Sequence, residues 1–189
     1  MCCLPDWANG AILKRVKSDS IIKPFKCGVN ELDLFLKEDV YNHSKFLGLV
    51  TYVLENDEET IAYYSLENHR LAVCHVDDFW EENPDVNFRS LYFDCNSFPA
   101  VKIARFAVNS KYQRQHIGTN LVNYIIGSFL DDTNKTGCQF LLVDALERKS
   151  SRFFYDKLNF QYATVSDCNK PERLRYLCLL EYYPLQLAN

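Results

Sequence analysis

The spacing of apolar residues changes several times along the chain, and each change marks an element. In PFKCGVNELDLFLKEDVY (residues 24–41), Leu32, Phe35, Leu36 and Val40 recur at helical spacing. Asn30 is placed to cap this helix, and Glu31 and Asp33 fall in its first turn, where the dipole favours acids. Two β-branched and aromatic runs follow, Leu49–Leu54 (LVTYVL) and Thr60–Leu66 (TIAYYSL), joined by the polar stretch ENDEE. They predict an antiparallel hairpin. Residues 67–98 keep no period. There Asp77, Asp78, Glu81, Glu82, Asp85 and Asp94 stand among Phe79, Trp80, Phe88, Tyr92 and Phe93. Two readings stay open for this region: a solvated loop or short helix pinned by aromatics, and an acidic lip that attracts a cationic or amine substrate.

Order returns at Val101–Val108, which is strand-like. From Ile117, the residues Ile117, Leu121, Ile125 and Phe129 recur every fourth position, with Val122, Ile126 and Leu130 as a second row. Such a wide apolar face belongs to a helix packed on a sheet. Gln139–Val143 (QFLLV) is the continuous apolar run of an interior strand. Strand, helix and strand at this spacing imply a parallel pair with a right-handed crossover. A second helix over about 147–158 carries Phe154 and Leu158 on one face, and strands near Gln161–Val165 and Arg175–Leu180 follow.

Length and composition narrow the class. A chain of 189 residues, 48% hydrophobic and 24% charged, suits one globular domain that buries its own core. No apolar run reaches the ~18 residues of a membrane helix. The start, MCCLPDWANGAILKRVK, lacks the basic-then-apolar order of a signal peptide, so the expected location is the cytoplasm. The eight cysteines form no CxxC pair and show no ligand-like spacing to His43, His69, His75 or His116, which argues against a structural metal. A net charge of −4 with scattered basic residues argues against a broad nucleic-acid footprint, though a small local patch stays open.

The candidate chemistry sits in Phe98–Tyr124, FPAVKIARFAVNSKYQRQHIGTNLVNY. A strand, a Gln/Arg-rich loop and a helix with Gly118 in its first turn bring free backbone N–H groups and the positive end of a helix dipole to one point. Such a point is a site for phosphate or pyrophosphate.

Here the chain resembles the GNAT N-acetyltransferases. Gln113-Arg114-Gln115-His116-Ile117-Gly118 occupies that family's phosphate loop, [Q/R]-x-x-G-x-[G/A]. Phe154-Tyr155-Asp156-Lys157-Leu158-Asn159-Phe160 is similar to its FYxKxGF stretch. The resemblance covers Pro24 to Tyr183. It implies an α/β (α+β) GNAT fold, with a mixed central sheet of six to seven strands flanked by helices and a parallel strand pair at the acetyl-CoA site. On this view 1–189 is a single domain, with 67–98 an irregular insertion. It further implies that the backbone of Gln113, Arg114, Gln115, His116, Ile117, Gly118 and Thr119 holds the CoA pyrophosphate. Ala104–Val108 would bind the pantetheine arm, with Phe106, Ala107 and Val108 as contacts. Tyr155 would protonate the leaving thiolate; an ordinary tyrosine pKa near 10 against about 8.5 for a thiol makes it a reasonable donor.

Within the family, FKCGVNELDLFL, TYVL…IAYYSL and IARFAV look most like the toxin-type members of toxin–antitoxin systems. Those toxins acetylate the amino group of aminoacyl-tRNA and are held in check by a DNA-binding antitoxin. The implied co-substrate is acetyl-CoA. The implied partners are an amine acceptor, aminoacyl-tRNA in the narrower reading, and an antitoxin protein, with a homodimer left open. Two further readings stand beside it: a housekeeping acetyltransferase of a small amine or protein N-terminus, and a GNAT-fold module that binds acyl-CoA without turnover.

Two departures from the family pattern have physical content. His116 replaces a glycine; its N–H can serve an anion if φ stays negative, whereas a positive φ strains histidine. Asn159 replaces the glycine after the second helix, and asparagine preserves a left-handed cap. An N–H on Ala107–Val108 would stabilise the oxyanion. No general base stands out, which suits an α-amine with a pKa near 7.7 better than a lysine near 10.4. Glu67 and Tyr64 are candidates for water-mediated base and acceptor contact, and Arg105 for contact with the acceptor or with core-edge carboxylates.

Overall fold

The computed structural model describes residues 10–72, 97–146, 154–162 and 173–179. The chain divides into two units, each built from two stretches of sequence: Met1–Glu67 with Ile103–Tyr124, and Asn68–Lys102 with Ile125–Asn189.

In the first unit, strands lie in the order β1, β2, β3, β4. β1 (Ile12–Arg15) is an edge strand that the apolar pattern did not reveal, because it has four residues and two are basic. It pairs antiparallel with β2 (Val50–Glu55), and Lys14 Nζ meets the buried Glu55 carboxylate at 2.5 Å. β2 and β3 (Thr60–Ala72) form the expected antiparallel hairpin, with Tyr52 opposite Tyr64 and Leu54 opposite Ala62. β3 continues past Leu66 to Ala72, so 67–72, expected to be irregular, is strand. Of the remaining acidic and aromatic region, 73–96 lies outside the described residues, and Ser97 and Phe98 begin β4 (Ser97–Val108).

The predicted helix of 24–41 is present in three parts: α1 (Asn30–Leu34), a π-helical turn (Phe35–Asp39) and α2 (Val40–Phe46). Phe35, Leu36 and Val40 are buried with Val16, Val53, Tyr63 and Ala107, and Leu32 packs against them. Each such side chain contributes about 1.5–3 kcal/mol on burial. The cap expected at Asn30 is displaced by one residue. The carbonyl of Val29 accepts the N–H groups of Leu32 and Asp33 at 3.0 Å, which makes Val29 the N-cap. The Asp33 carboxylate reaches back to the Cys27 N–H at 2.7 Å and supplies the polar contact that Asn30 does not.

In the second unit the order is β4, β5, β7, β6. β5 (Phe140–Leu146) pairs antiparallel with β7 (Arg173–Leu179), and β7 pairs antiparallel with β6 (Gln161–Tyr162). Phe140, Leu141, Leu142 and Val143 are all buried, so both faces of this interior strand are covered, as their unbroken apolar run predicted. β7 begins two residues before its expected start; of the strand expected over Gln161–Val165, residues 163–165 lie outside the described residues. α3 (Ile117–Leu130) links β4 to β5, neighbours that supply the parallel pair of a mixed sheet. Its apolar rows are present as Leu121, Val122, Ile125 and Ile126, all buried. Residues 154–157 are helical, and the beginning of the helix expected over 147–158 lies outside the described residues.

Candidate active site

β4 ends in a turn that is anchored before it reaches the phosphate-type loop. Asn109, 3% exposed, donates its backbone N–H to Ile61 O at 2.9 Å and its amide to Thr60 O at 3.0 Å. Its Oδ1 accepts the Lys111 N–H at 3.2 Å and so opens a short 3-10 turn, Ser110–Tyr112. Ser110 N–H donates to Lys26 O at 2.8 Å, beside Gly28, whose φ of +86° needs a glycine. The two glutamines of the loop turn their side chains onto the chain itself. Gln113 Nε2 donates to Cys27 O at 3.1 Å and Val108 O at 2.9 Å, and Gln115 Nε2 donates to Lys111 O at 3.0 Å. They brace the loop, which leaves its backbone to face a ligand.

That backbone differs from the expectation at His116. The histidine adopts φ 62°, as Arg114 does, while Gln113 is extended at φ −65°. A left-handed conformation costs a non-glycine residue about 1–2 kcal/mol, and histidine is among the residues enriched there. The return is geometric: a left-handed residue followed by a right-handed one, as His116 is by the helical Ile117, turns successive N–H groups toward one concavity, an anion nest. His116 also caps α3, its carbonyl accepting the Asn120 N–H at 3.0 Å. The N–H groups of Ile117, Gly118 and Thr119 then have no acceptor within the helix. Arg114, Gln115 and His116 are exposed, so the concavity opens to solvent. On the strand leading in, Ala107 is buried in the core, and Phe106 and Val108 are half-buried.

Behind the loop lies a polar cluster that the sequence did not single out. Glu59, in the hairpin link, accepts from Lys111 Nζ at 3.0 and 2.8 Å, from Tyr112 OH at 3.0 Å and from Asn109 Nδ2 at 3.4 Å. The Lys111 ammonium and the Tyr112 hydroxyl hold its carboxyl below the usual carboxylate range. Its only sequence signal was one acid among several in ENDEE.

The base and acceptor candidates are placed as follows. Tyr64, 3% exposed, stacks on Tyr52 with ring centroids 5.2 Å apart, and burial holds its hydroxyl well above the usual tyrosine range, which makes it unfit as a base. Arg105 lies over the Phe35 ring, 5.4 Å from the centroid, and its Nη2 is 3.7 Å from Glu31. The expected contact with a carboxylate is made to Glu31. Glu67 is half-buried at the end of the first unit's share of β3.

Tyr155 belongs to the second unit. It is 6% exposed, edge-on to Phe154 at 5.1 Å and to Phe160 at 5.3 Å. A helix stop fixes it. Phe160 N–H donates to Tyr155 O at 3.1 Å, Asn159 N–H donates to Asp156 O at 3.1 Å, and Asn159 has φ 60°. This is a complete Schellman motif, with Asn159 in the left-handed position expected of it and the Tyr155–Phe160 contact as its apolar clasp. Burial raises the Tyr155 hydroxyl above the usual tyrosine range, so it stays protonated at neutral pH.

The profile of the family described as "Acetyltransferase (GNAT) domain" matches residues 48–162, from the hairpin through Tyr155 to β6. The chain belongs to the GNAT acetyltransferase family. It is an N-acetyltransferase with acetyl-CoA as its co-substrate. Curated protein sequences offer no match to this GNAT chain, but solved structures do. AtaT complexed with acetyl-methionyl-tRNAfMet has a TM-score of 0.74 at 18% identity, covering 94% of this chain and 99% of that one. A tyrosine-to-phenylalanine mutant of the AtaT toxin, bound to the C-terminus of the antitoxin AtaR and acetyl-CoA, has a TM-score of 0.72 at 18% identity, over 95% and 99%. The KacTA–DNA complex has a TM-score of 0.68 at 19% identity, over 94% and 99%. At these identities the likeness is one of fold, and it extends over nearly the whole GNAT chain. No helix among the described residues is long and apolar enough to cross a membrane.

Proposed function

We propose that this enzyme is a toxin-type acetyltransferase that transfers the acetyl group of acetyl-CoA to the α-amine of an aminoacyl-tRNA. An antitoxin holds it in check, and it acts in the cytoplasm. The observation that carries the catalytic half of this reading is the loop from Gln113 to Thr119. Its left-handed turns at Arg114 and His116 and the helix start behind them suit a diphosphate and need no cationic side chain. The toxin half is supported by the likeness to AtaT and KacT over almost their whole lengths.

In this reading Phe106, Ala107 and Val108 lie along the pantetheine arm, and an N–H of that strand meets the negative charge that develops on the thioester oxygen. The amine attacks the carbonyl directly and its surplus proton passes to water. The carbon–sulfur bond breaks, and Tyr155 gives its proton to the departing sulfur and regains one from water. Burial disfavours the phenolate, so this hydroxyl is a weaker acid than an ordinary tyrosine and its proton transfer to the sulfur is uphill. No strong base is required if the acceptor is an α-amine, part of which is neutral at pH 7.

Tyr155→Phe should leave acetyl-CoA affinity unchanged and lower turnover by about 100-fold or more. Full activity in that variant would remove Tyr155 from the mechanism. Incubation with labelled acetyl-CoA and a cell lysate should place the label in the RNA fraction. A second reading, acetylation of a small amine or protein N-terminus, is favoured by the net charge of −4. It predicts label in small molecules or protein, and no growth arrest on expression.

A further inference from the structure

We propose that Glu59 is a positioning residue for the co-substrate: it holds the phosphate loop in the strained shape that grips the diphosphate. This rests on the reading of Gln113–Thr119 as the diphosphate cradle. Left-handed backbone at Arg114 and His116 persists only where the surroundings over-determine it. The constraint can be followed bond by bond. Glu59, with a side chain 12% exposed, gathers three donors from the turn that enters the loop: Asn109, Lys111 and Tyr112. Asn56 seats Glu59 from the other side, its Oδ1 accepting the Glu59 N–H at 2.8 Å and its Nδ2 donating to Tyr112 OH at 3.1 Å. The carbonyl of Lys111, whose ammonium Glu59 holds, accepts Gln115 Nε2 at 3.0 Å. Gln115 stands between the two left-handed residues. A carboxylate on the hairpin thus reaches the strained backbone through one lysine and one glutamine.

Charged hydrogen bonds of this kind are the strong ones, and replacing one acceptor releases three donors together.

The test compares two ligands on the full-length protein: acetyl-CoA, and S-acetyl-pantetheine, which lacks the diphosphate. Glu59→Ala should weaken acetyl-CoA about tenfold by calorimetry and leave S-acetyl-pantetheine within twofold by NMR titration. Glu59→Gln, which keeps an acceptor oxygen in place, should stay within about threefold of wild type for acetyl-CoA. Equal weakening of both ligands by Glu59→Ala, or no weakening of acetyl-CoA, overturns the proposal. If Glu59→Ala does not fold, Tyr112→Phe removes one donor alone and should weaken only acetyl-CoA, by about threefold; no change, or equal change for both ligands, overturns it. Wild-type protein that binds both ligands equally would instead overturn the reading of the loop.

Discussion

At the scale of single residues, the informative position is His116. A family-pattern glycine has been replaced, yet the backbone keeps the conformation a glycine would take, at φ 62°. The imidazole is exposed, and in the proposed reading the site uses the peptide N–H and the direction it points. His116→Gly relieves about 1–2 kcal/mol of strain but adds chain entropy of about 0.5–1 kcal/mol to the unfolded state. The melting temperature should therefore change little, and acetyl-CoA affinity should stay within about threefold. His116→Val places a β-branched side chain where it is a genuine outlier, and should weaken acetyl-CoA by tenfold or more. Calorimetric titration of both variants checks this; a tenfold loss in His116→Gly would make the imidazole itself the ligand. The sequence named the residues of this loop and assigned the anion to their backbone, but gave no part to the glutamine side chains. Gln113 and Gln115 have polar side chains of the kind that bind anions, yet both brace the chain. One partner, Cys27, lies 86 positions away, and the brace from Glu59 starts about 50 positions away, distances that no local pattern encodes.

At the scale of elements, the stop after Tyr155 shows how a local rule carries function. Asparagine tolerates the left-handed cap, and the cap closes the chain so that Phe160 packs edge-on against Tyr155. Asn159→Ala should cost about 1 kcal/mol, a fall in melting temperature of about 2–4 °C, and should lower turnover because the Tyr155 seat loosens. Asn159→Gly should hold both near wild type. Thermal unfolding and turnover measured together distinguish a cap from a surface asparagine, for which alanine would be neutral. The Asn159 cap, the hairpin, α3 and the β5 strand were legible because their signals are local: a turn residue, a period of two, a period near 3.6, an unbroken apolar run. β1 was not, since an edge strand of four residues with two lysine or arginine side chains carries no apolar period. Nor was the π-helical turn at Phe35–Asp39, which leaves the Phe35, Leu36 and Val40 stripe intact while shifting the hydrogen bonds beneath it.

At the scale of the whole molecule, the buried hydroxyls set a limit on stability in alkali. Tyr63, Tyr64 and Tyr155 are 0%, 3% and 6% exposed, and burial holds each above the usual tyrosine range. Tyr63 OH also donates to Leu32 O at 2.9 Å, a bond only the protonated form can make. In the unfolded chain these groups release protons near pH 10, while the folded chain retains them. Their stabilising effect is therefore complete below pH 10 and is lost progressively above it. The loss is about 1.4 kcal/mol per pH unit for each tyrosine, so about 4 kcal/mol per unit for the three. Cys27, pushed up to about 11 by burial, starts a shallower decline from about pH 8.5, where a free thiol ionises. Against a typical stability of 5–15 kcal/mol, cooperative unfolding is expected within one to three units above pH 10. The urea midpoint measured from pH 7 to 11 should be level, then decline gently, then steeply. Tyr64→Phe should remove about a quarter of the steep slope between pH 10 and 11, where Cys27 still contributes, while keeping its stack on Tyr52. An unchanged slope in that variant would mean that the Tyr64 hydroxyl ionises in the folded protein as freely as in water.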